Sequence, residues 1–477
     1  MDTLLIDGTW RASREGQSLD VADPCTGAPF AQLARGMAVD VDDAVRAART
    51  AFEGPWHQWS AAERGRLLAR MAVLVARHAD ELAAVESRDT GKPLVQARAE
   101  FDVVSRYFEF YAGAADKFAG AEIPFLPGHT AIARREPVGV TAHVIPWNYP
   151  AVMFARTIAP TLAVGNAAVL KPAEDACLSS LRLAQLLLEA GLPPGVLNVV
   201  TGLGEEAGGA LAAHADIDFI TFTGSPQVGT LIQQAAARHH TPCVLELGGK
   251  SPQILFEDAD IETALPSIVN AIIQNAGQTC SAGSRLLIAR SRYAEWLERV
   301  AERFSDLTVG PPSGGHACGP LINAAQLDRV RAFVARACGD GVQQVAAGSI
   351  AADADSRGYF YAPALLSNVP RDHPIAREEV FGPVLCALPF DDEADAVALA
   401  NATPYGLVTG VWTQDGSRQT RVAQRVRSGQ VFINCYGAGG GVELPFGGFG
   451  RSGHGREKGL AALEALTAIK TVVQRYE

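Results

Sequence analysis

Between Val39 and about Ala115, apolar residues recur every three to four positions, Leu67, Leu68, Met71, Leu74 and Val75 among them. That spacing predicts amphipathic helices. The string Asp89-Thr90-Gly91-Lys92-Pro93 interrupts the run. From Pro137 onward the texture changes to short β-branched stretches alternating with Ala/Leu-rich segments, as in Gly139 to Ile145, Ala167 to Leu170, Val196 to Thr201 and Phe219 to Phe222. Such alternation is the sequence form of βαβ units in a parallel sheet. A second block begins near Ser251, with Gln253 to Phe256, a helical segment around Ile261 to Gln274, and Leu286 to Ile288. It predicts a second α/β domain. The closing run from Ile469 to Gln474 reads as a strand with no neighbour beside it in sequence, and such a strand can pair with another subunit.

Composition narrows the class. A chain of 477 residues with 48% hydrophobic positions is too long for one simple core and too apolar for disorder, so two or three domains are expected. The 41 basic against 52 acidic residues leave a formal charge of −11, and no Lys/Arg-rich run interrupts that balance, which argues against nucleic-acid binding. The first residues carry neither a basic segment nor a long apolar one, so no secretory signal is read there, and no stretch reaches the roughly 20 apolar residues of a membrane span. Eight cysteines stand singly without a CxxC pair, as reduced thiols of a cytoplasmic protein do.

Three strings carry candidate chemistry. In Leu245-Glu246-Leu247-Gly248-Gly249-Lys250, a carboxylate ends an apolar strand, and desolvation there would raise its pKa toward that of a neutral-pH base. In Gly277-Gln278-Thr279-Cys280-Ser281-Ala282-Gly283, a cysteine sits among small residues that leave its sulfur open and its N–H free for an oxyanion. In Ile145-Pro146-Trp147-Asn148-Tyr149-Pro150, Asn148 offers a neutral amide donor where an apolar strand stops. Each has a bland reading alone, as a strand-end glutamate, a buried thiol or a turn. The segment Phe222-Thr223-Gly224-Ser225, between a strand and a helix, suits a pyrophosphate. Gly202-Leu203-Gly204 with Gly208 has the wrong spacing for a dinucleotide fingerprint and is read as a loop. The ten histidines show no metal-ligand spacing, and His239-His240 is read as a solvated turn.

Taken together, these strings resemble the aldehyde dehydrogenase superfamily, of the hydrolytic type. Lys171-Pro172-Ala173-Glu174, Glu378-Glu379-Val380-Phe381-Gly382-Pro383 and Pro445-Phe446-Gly447-Gly448 follow in the family's order. The resemblance implies an α/β fold with a Rossmann-like cofactor domain over 1–116 and 137–247 and a catalytic domain over 248–447. A small β arm for oligomerisation, with the C-terminal segment, would take 117–136 and 448–477, in a homodimer or homotetramer. It makes Cys280 the nucleophile, Glu246 the general base and Asn148 an oxyanion donor for oxidation of an aldehyde to an acid. It implies NAD as cofactor, held by Ile145, Pro146, Trp147, Lys171, Glu174 and Gly224, and further along by Ser225, Val228, Leu247, Gly248, Glu379 and Phe381. A carboxylate at Glu174 would accept ribose hydroxyls and repel a 2′-phosphate, favouring NAD over NADP.

For the substrate the resemblance implies Tyr149, Met153, Arg156 and Phe446. On a helix starting near Pro150, the first three fall at i, i+4 and i+7 and share a face. Enzymes for succinic semialdehyde carry an arginine matching Arg156, whose guanidinium suits a distal carboxylate; their second arginine would fall at Gln274, where the match fails, and an arginine paired with a structural carboxylate is the alternative reading of Arg156. The lip Gly437-Ala438-Gly439-Gly440-Gly441 lacks bulky side chains and is one residue longer than usual. Rival readings are a CoA-acylating relative, which generally lacks a base matching Glu246, and a non-catalytic protein retaining the fold.

Overall fold

The computed structural model of the chain describes residues 2–437 and 440–477, so two positions of the expected lip, Ala438 and Gly439, lie outside the described residues. The helical run resolves into Ala38–Glu53, Ala61–Arg77, Ala79–Thr90 and Leu94–Ala114. Ser60 and Glu63 form a reciprocal capping box at the second of these. Its Leu67, Leu68, Met71 and Val75 are fully buried in one core with Phe101, Val104 and Phe108 of the fourth. The third helix ends where Gly91 turns left-handed (φ 76°), which a glycine does without Cβ strain, and Lys92-Pro93 lead into the next.

Two sheets organise the rest. The first has eight strands, and its five central ones, Leu197–Val199, Ala167–Pro172, Val140–Ile145, Phe219–Thr223 and Cys243–Glu246, run parallel in that order. Helices on both faces bury these strands, which accounts for their nearly unbroken apolar runs. Antiparallel strands close both sides: the N-terminal hairpin Leu4–Ile6 and Thr9–Arg11 at one, Gly453–His454 beside Glu246 at the other. The second sheet has seven strands, all parallel except Gln343–Ala347, with Pro252–Leu255 and Arg285–Ala289 at its centre.

The terminal strand, Thr467–Arg475, joins the expected arm: it runs antiparallel to His129–Pro137, from Thr467 opposite Pro137 to Arg475 opposite His129, with Ala121–Ile123 on the other side of His129–Pro137. One expectation changes. The Gly202 segment is no loop, because Gly204–Gly208 winds a π-helical turn that continues into Gly209–Ala212, with the free Gly204 N–H taken up by the Glu174 carboxylate at 3.2 Å. His239-His240 is an exposed turn as read. Among the described residues no helix is long and apolar enough to cross a membrane.

Candidate active site

The helix Ile261–Ile273 stops in a left-handed turn in which Asn275, Ala276 and Gly277 all have positive φ (49°, 54° and 72°). A methyl-bearing residue in that region is uncommon and costs energy that tertiary contacts must offset. The turn throws Asn275 Nδ2 onto the Asn148 carbonyl at 2.8 Å and delivers the chain to Cys280. A Cβ on Gly277 would sit 2.3 Å from the Gly382 backbone, so only glycine fits that approach.

Cys280, Glu246 and Asn148 come from three separate elements and open onto one cavity of about 410 Å³, shared with Met153. Cys280 is half-buried. Burial pushes its thiol up to about 12; the Arg156 guanidinium acts against this, whereas Glu379 and Glu246 reinforce it. Glu246 ends its strand 2% exposed, and among the described residues neither carboxylate oxygen accepts a hydrogen bond. Its pKa lies well above the usual carboxylate range, because of burial first and the neighbouring Glu457 next, with Arg156 opposing. Asn148 Nδ2 donates to the Gln278 carbonyl at 2.9 Å, while its own carbonyl is held by Asn275 and by Lys92 Nζ at 3.2 Å. That ammonium is fully buried and also bridges Glu100 (2.6 Å) and Glu86 (3.1 Å).

The residues expected at the cofactor divide. Pro146, Trp147, Gly224, Ser225, Gly248, Glu379 and Phe381 line the cavity with Cys280, Glu246 and Asn148. Trp147 and Phe381 meet edge to face at 5.4 Å, and Phe381 holds a strained positive φ of 61°. Gly249 N–H donates to Glu379 Oε1 at 3.0 Å, and a Cβ on Gly248 would collide with that carboxylate at 2.1 Å. Lys171 and Glu174 pair at 2.6 Å at the end of their strand, away from this cavity; against burial, the Lys171 ammonium keeps the Glu174 carboxyl below the usual range. Ser225 caps the helix Pro226–Ala237, whose first turn presents an exposed Val228. Ile145 and Leu247 bury their side chains in the cores on either side of the first sheet, which leaves their backbone as the part that could meet a cofactor. Strand-end apolar side chains gain more from that burial than from solvent contact.

The expected substrate residues divide further. Met153 lines the large cavity, and Phe446 lines a second hollow of about 120 Å³ with Ser281, Val408, Phe432, Tyr436 and Lys458. Tyr149 turns aside, bonding Thr279 Oγ1 at 2.8 Å with Lys92 over its ring. Arg156 contradicts the expectation of a free guanidinium. It is 5% exposed, lines neither space, and lies with Nε 2.5 Å from Glu457 and Nη2 3.9 Å from Glu246, stacked 4.4 Å over Phe446. Its helix is buried almost all round, so sharing a face with Met153 did not mean facing the substrate. Sequence reasoning missed Lys92, Glu457 and the cavity residues Gln326, Arg329 and Tyr405. Only Lys92 stood in a string already noticed, the break between two helices.

Comparison with known proteins agrees with this geometry. Residues 10–472 match the family model described as the Aldehyde dehydrogenase family. The chain is 43% identical to aldehyde dehydrogenase family 2 member B4, mitochondrial, of Arabidopsis thaliana, covering 98% of this chain and 87% of that one. It is 40% identical to the mitochondrial aldehyde dehydrogenase of Homo sapiens, covering 98% and 91%. A crystal structure of betaine aldehyde dehydrogenase from Staphylococcus aureus in complex with NAD+ superposes with a TM-score of 0.96 at 34% identity, over 99% of this chain and 94% of that one. The chain belongs to the aldehyde dehydrogenase family.

Proposed function

We propose that the protein oxidises an aldehyde to its carboxylic acid with NAD, through a thioester on Cys280. The observation that carries this reading is the convergence of a thiol, a buried carboxylate and an amide donor on one cavity. An aldehyde gives up hydride poorly because its carbonyl carbon is electron-poor. Addition of the Cys280 thiolate makes an oxyanion, stabilised by the Asn148 amide and the Cys280 N–H, that can expel hydride. NAD supplies the hydride acceptor. Glu246 then takes a proton from the water that hydrolyses the thioester.

The residues present suit that cofactor. Gly248, Glu379 and the Trp147–Phe381 pair line the cavity beside Cys280, while Ser225, the Lys171–Glu174 pair and Val228 follow the carboxyl ends of the parallel strands, where open α/β sheets take nucleotides. The relative crystallised with NAD+ supports the same choice. A semialdehyde with a distal carboxylate is not part of the proposal, since the charge of Arg156 is already matched by carboxylates. The arm Ala121–Ile123, His129–Pro137 and Thr467–Arg475, with Ile469 and Val473 exposed, is the surface we assign to a homodimer or homotetramer. Eight unpaired cysteines support a reducing compartment, for which we propose the cytoplasm.

The test is NADH formation from aliphatic and aromatic aldehydes, with product analysis. Acid is expected, and Cys280→Ser should abolish it while NAD binding persists, because an alkoxide scarcely forms at neutral pH. Acyl-CoA as the product, or turnover by a folded Cys280→Ser protein, would refute the reading.

A further inference from the structure

The arginine that the substrate does not explain sits inside a buried ionic cluster. Glu246 is faced by Arg156 from the helix Pro150–Val164, by Glu457, Arg456 and Lys458 from the C-terminal loop, and by Cys280 from the catalytic loop. Tyr107 of the helix Leu94–Ala114 stands behind Arg156. Neither carboxylate of Glu246 or Glu457 accepts a hydrogen bond among the described residues, and both are about 95% or more buried. Two anions this close and this dry cannot both persist without a cation between them. Arg156 is the guanidinium in that place: it touches Glu457 at 2.5 Å, reaches Glu246 at 3.9 Å, and is fixed by stacking on the Phe446 ring at 4.4 Å. A planar, permanently charged fork suits such a bridge better than an ammonium, which would give up its proton more readily when buried. Lys458 illustrates this, because burial and the nearby Arg156 draw its ammonium down to about 8.

We propose that Arg156 is a positioning residue for deacylation: lying between Glu246 and Glu457 over Phe446, it supplies the counter-charge for the ionised Glu246 carboxylate that accepts a proton. The proposal rests on the reading of Glu246 as the general base. It also gives the cluster a division of labour, since the same guanidinium opposes the effect of burial on Cys280. Thiolate and carboxylate therefore share one counter-ion.

The experiment is the pH profile of kcat for an uncharged aldehyde whose thioester hydrolysis limits turnover, with pre-steady-state NADH bursts as the second readout. Removing a cation at this range raises a carboxyl pKa by about one to three units. Arg156→Leu should therefore move the acid limb of kcat upward by about that much, losing tenfold or more on the acid side and recovering at alkaline pH. A burst of about one NADH per site should remain. Arg156→Lys should place the limb between the two. Glu457→Gln, which removes an anion and frees the guanidinium for Glu246, should move the limb the other way. An unmoved limb in Arg156→Leu, while Glu246→Gln loses steady-state turnover, overturns the proposal alone. Full turnover by Glu246→Gln overturns the base reading and the proposal with it. Selective loss of a carboxylated aldehyde in Arg156→Leu, with the limb unmoved, returns Arg156 to the substrate and also overturns it. Should Arg156→Leu not fold, Glu457→Gln decides, and a limb that stays or rises counts against the bridge.

Discussion

Lys92→Met tests whether the break between two helices is part of the oxyanion site. The ammonium spends its three protons on Glu100 at 2.6 Å, Glu86 at 3.1 Å and the Asn148 carbonyl at 3.2 Å. The attraction of its carboxylates outweighs burial and keeps it charged. Burial meanwhile lifts Glu100 to about 7 even with the ammonium beside it. Methionine fills similar space and strands two buried carboxylates, a change that costs about 3–5 kcal/mol, or roughly 6 °C or more in Tm for a cooperative unit of 150–250 residues. The Asn148 carbonyl keeps Asn275 but loses its second donor, worth about 1 kcal/mol. A shift of the oxyanion donor of order 1 Å costs about 100-fold in rate. We therefore expect kcat/KM to fall by roughly 10- to 100-fold with KM for NAD little changed. Thermal unfolding followed by tryptophan fluorescence reads the first effect and steady-state NADH formation the second. Adding Glu100→Gln should recover part of the lost Tm by removing one stranded charge, yet none of the rate. A Lys92→Met protein with parental Tm, or one destabilised but fully active, would show that Lys92 and Asn148 are energetically independent.

Three further outcomes are expected. Glu246→Gln should retain a burst of about one NADH per site and then turn over slowly, because the amide cannot take the water's proton; loss of the burst as well would place Glu246 earlier in the reaction. Glu174→Gln should raise the efficiency with NADP relative to NAD by roughly tenfold, about 1.4 kcal/mol, measured as the ratio of the two kcat/KM values, and an unchanged ratio would mean that Glu174 does not meet the ribose. Replacing the exposed Ile469 and Val473 by lysine should lower the mass measured by light scattering if the arm assembles subunits, because like charges on facing strands repel; an unchanged mass would move the interface elsewhere.

What sequence showed was what local strings can carry. Repeated short apolar runs give strands, three-to-four spacing gives helices, and Cys280, Glu246 and Asn148 each sit in a string whose neighbours fix its shape. Arg156 was misread because periodicity gives a residue's face on its own helix, not what packs there, and Glu457 arrives from the far end of the chain. For Ile145 and Leu247 the string gives the segment but not the direction of the side chain, which strand-end alternation decides. The N-terminal hairpin left a readable mark that went unused: Asp7-Gly8, both at positive φ, is a two-residue turn of the type such hairpins prefer. The strained turn at Asn275 and Ala276 left none, as its conformation is imposed by contacts with Asn148 and Gly382.

The strand Gly453–His454 lies against the strand that ends in Glu246, pairing Leu245 with His454 and Glu246 with Gly453, and Glu457 follows within the same loop. Synthesis delivers this segment well after the strand that it covers. Until it arrives, the strand that ends in Glu246 has an open edge, and the Arg156 guanidinium lacks the Glu457 carboxylate. The edge beside Glu246 is thus closed only when residues 453–454 arrive, and the Glu457 carboxylate comes with them.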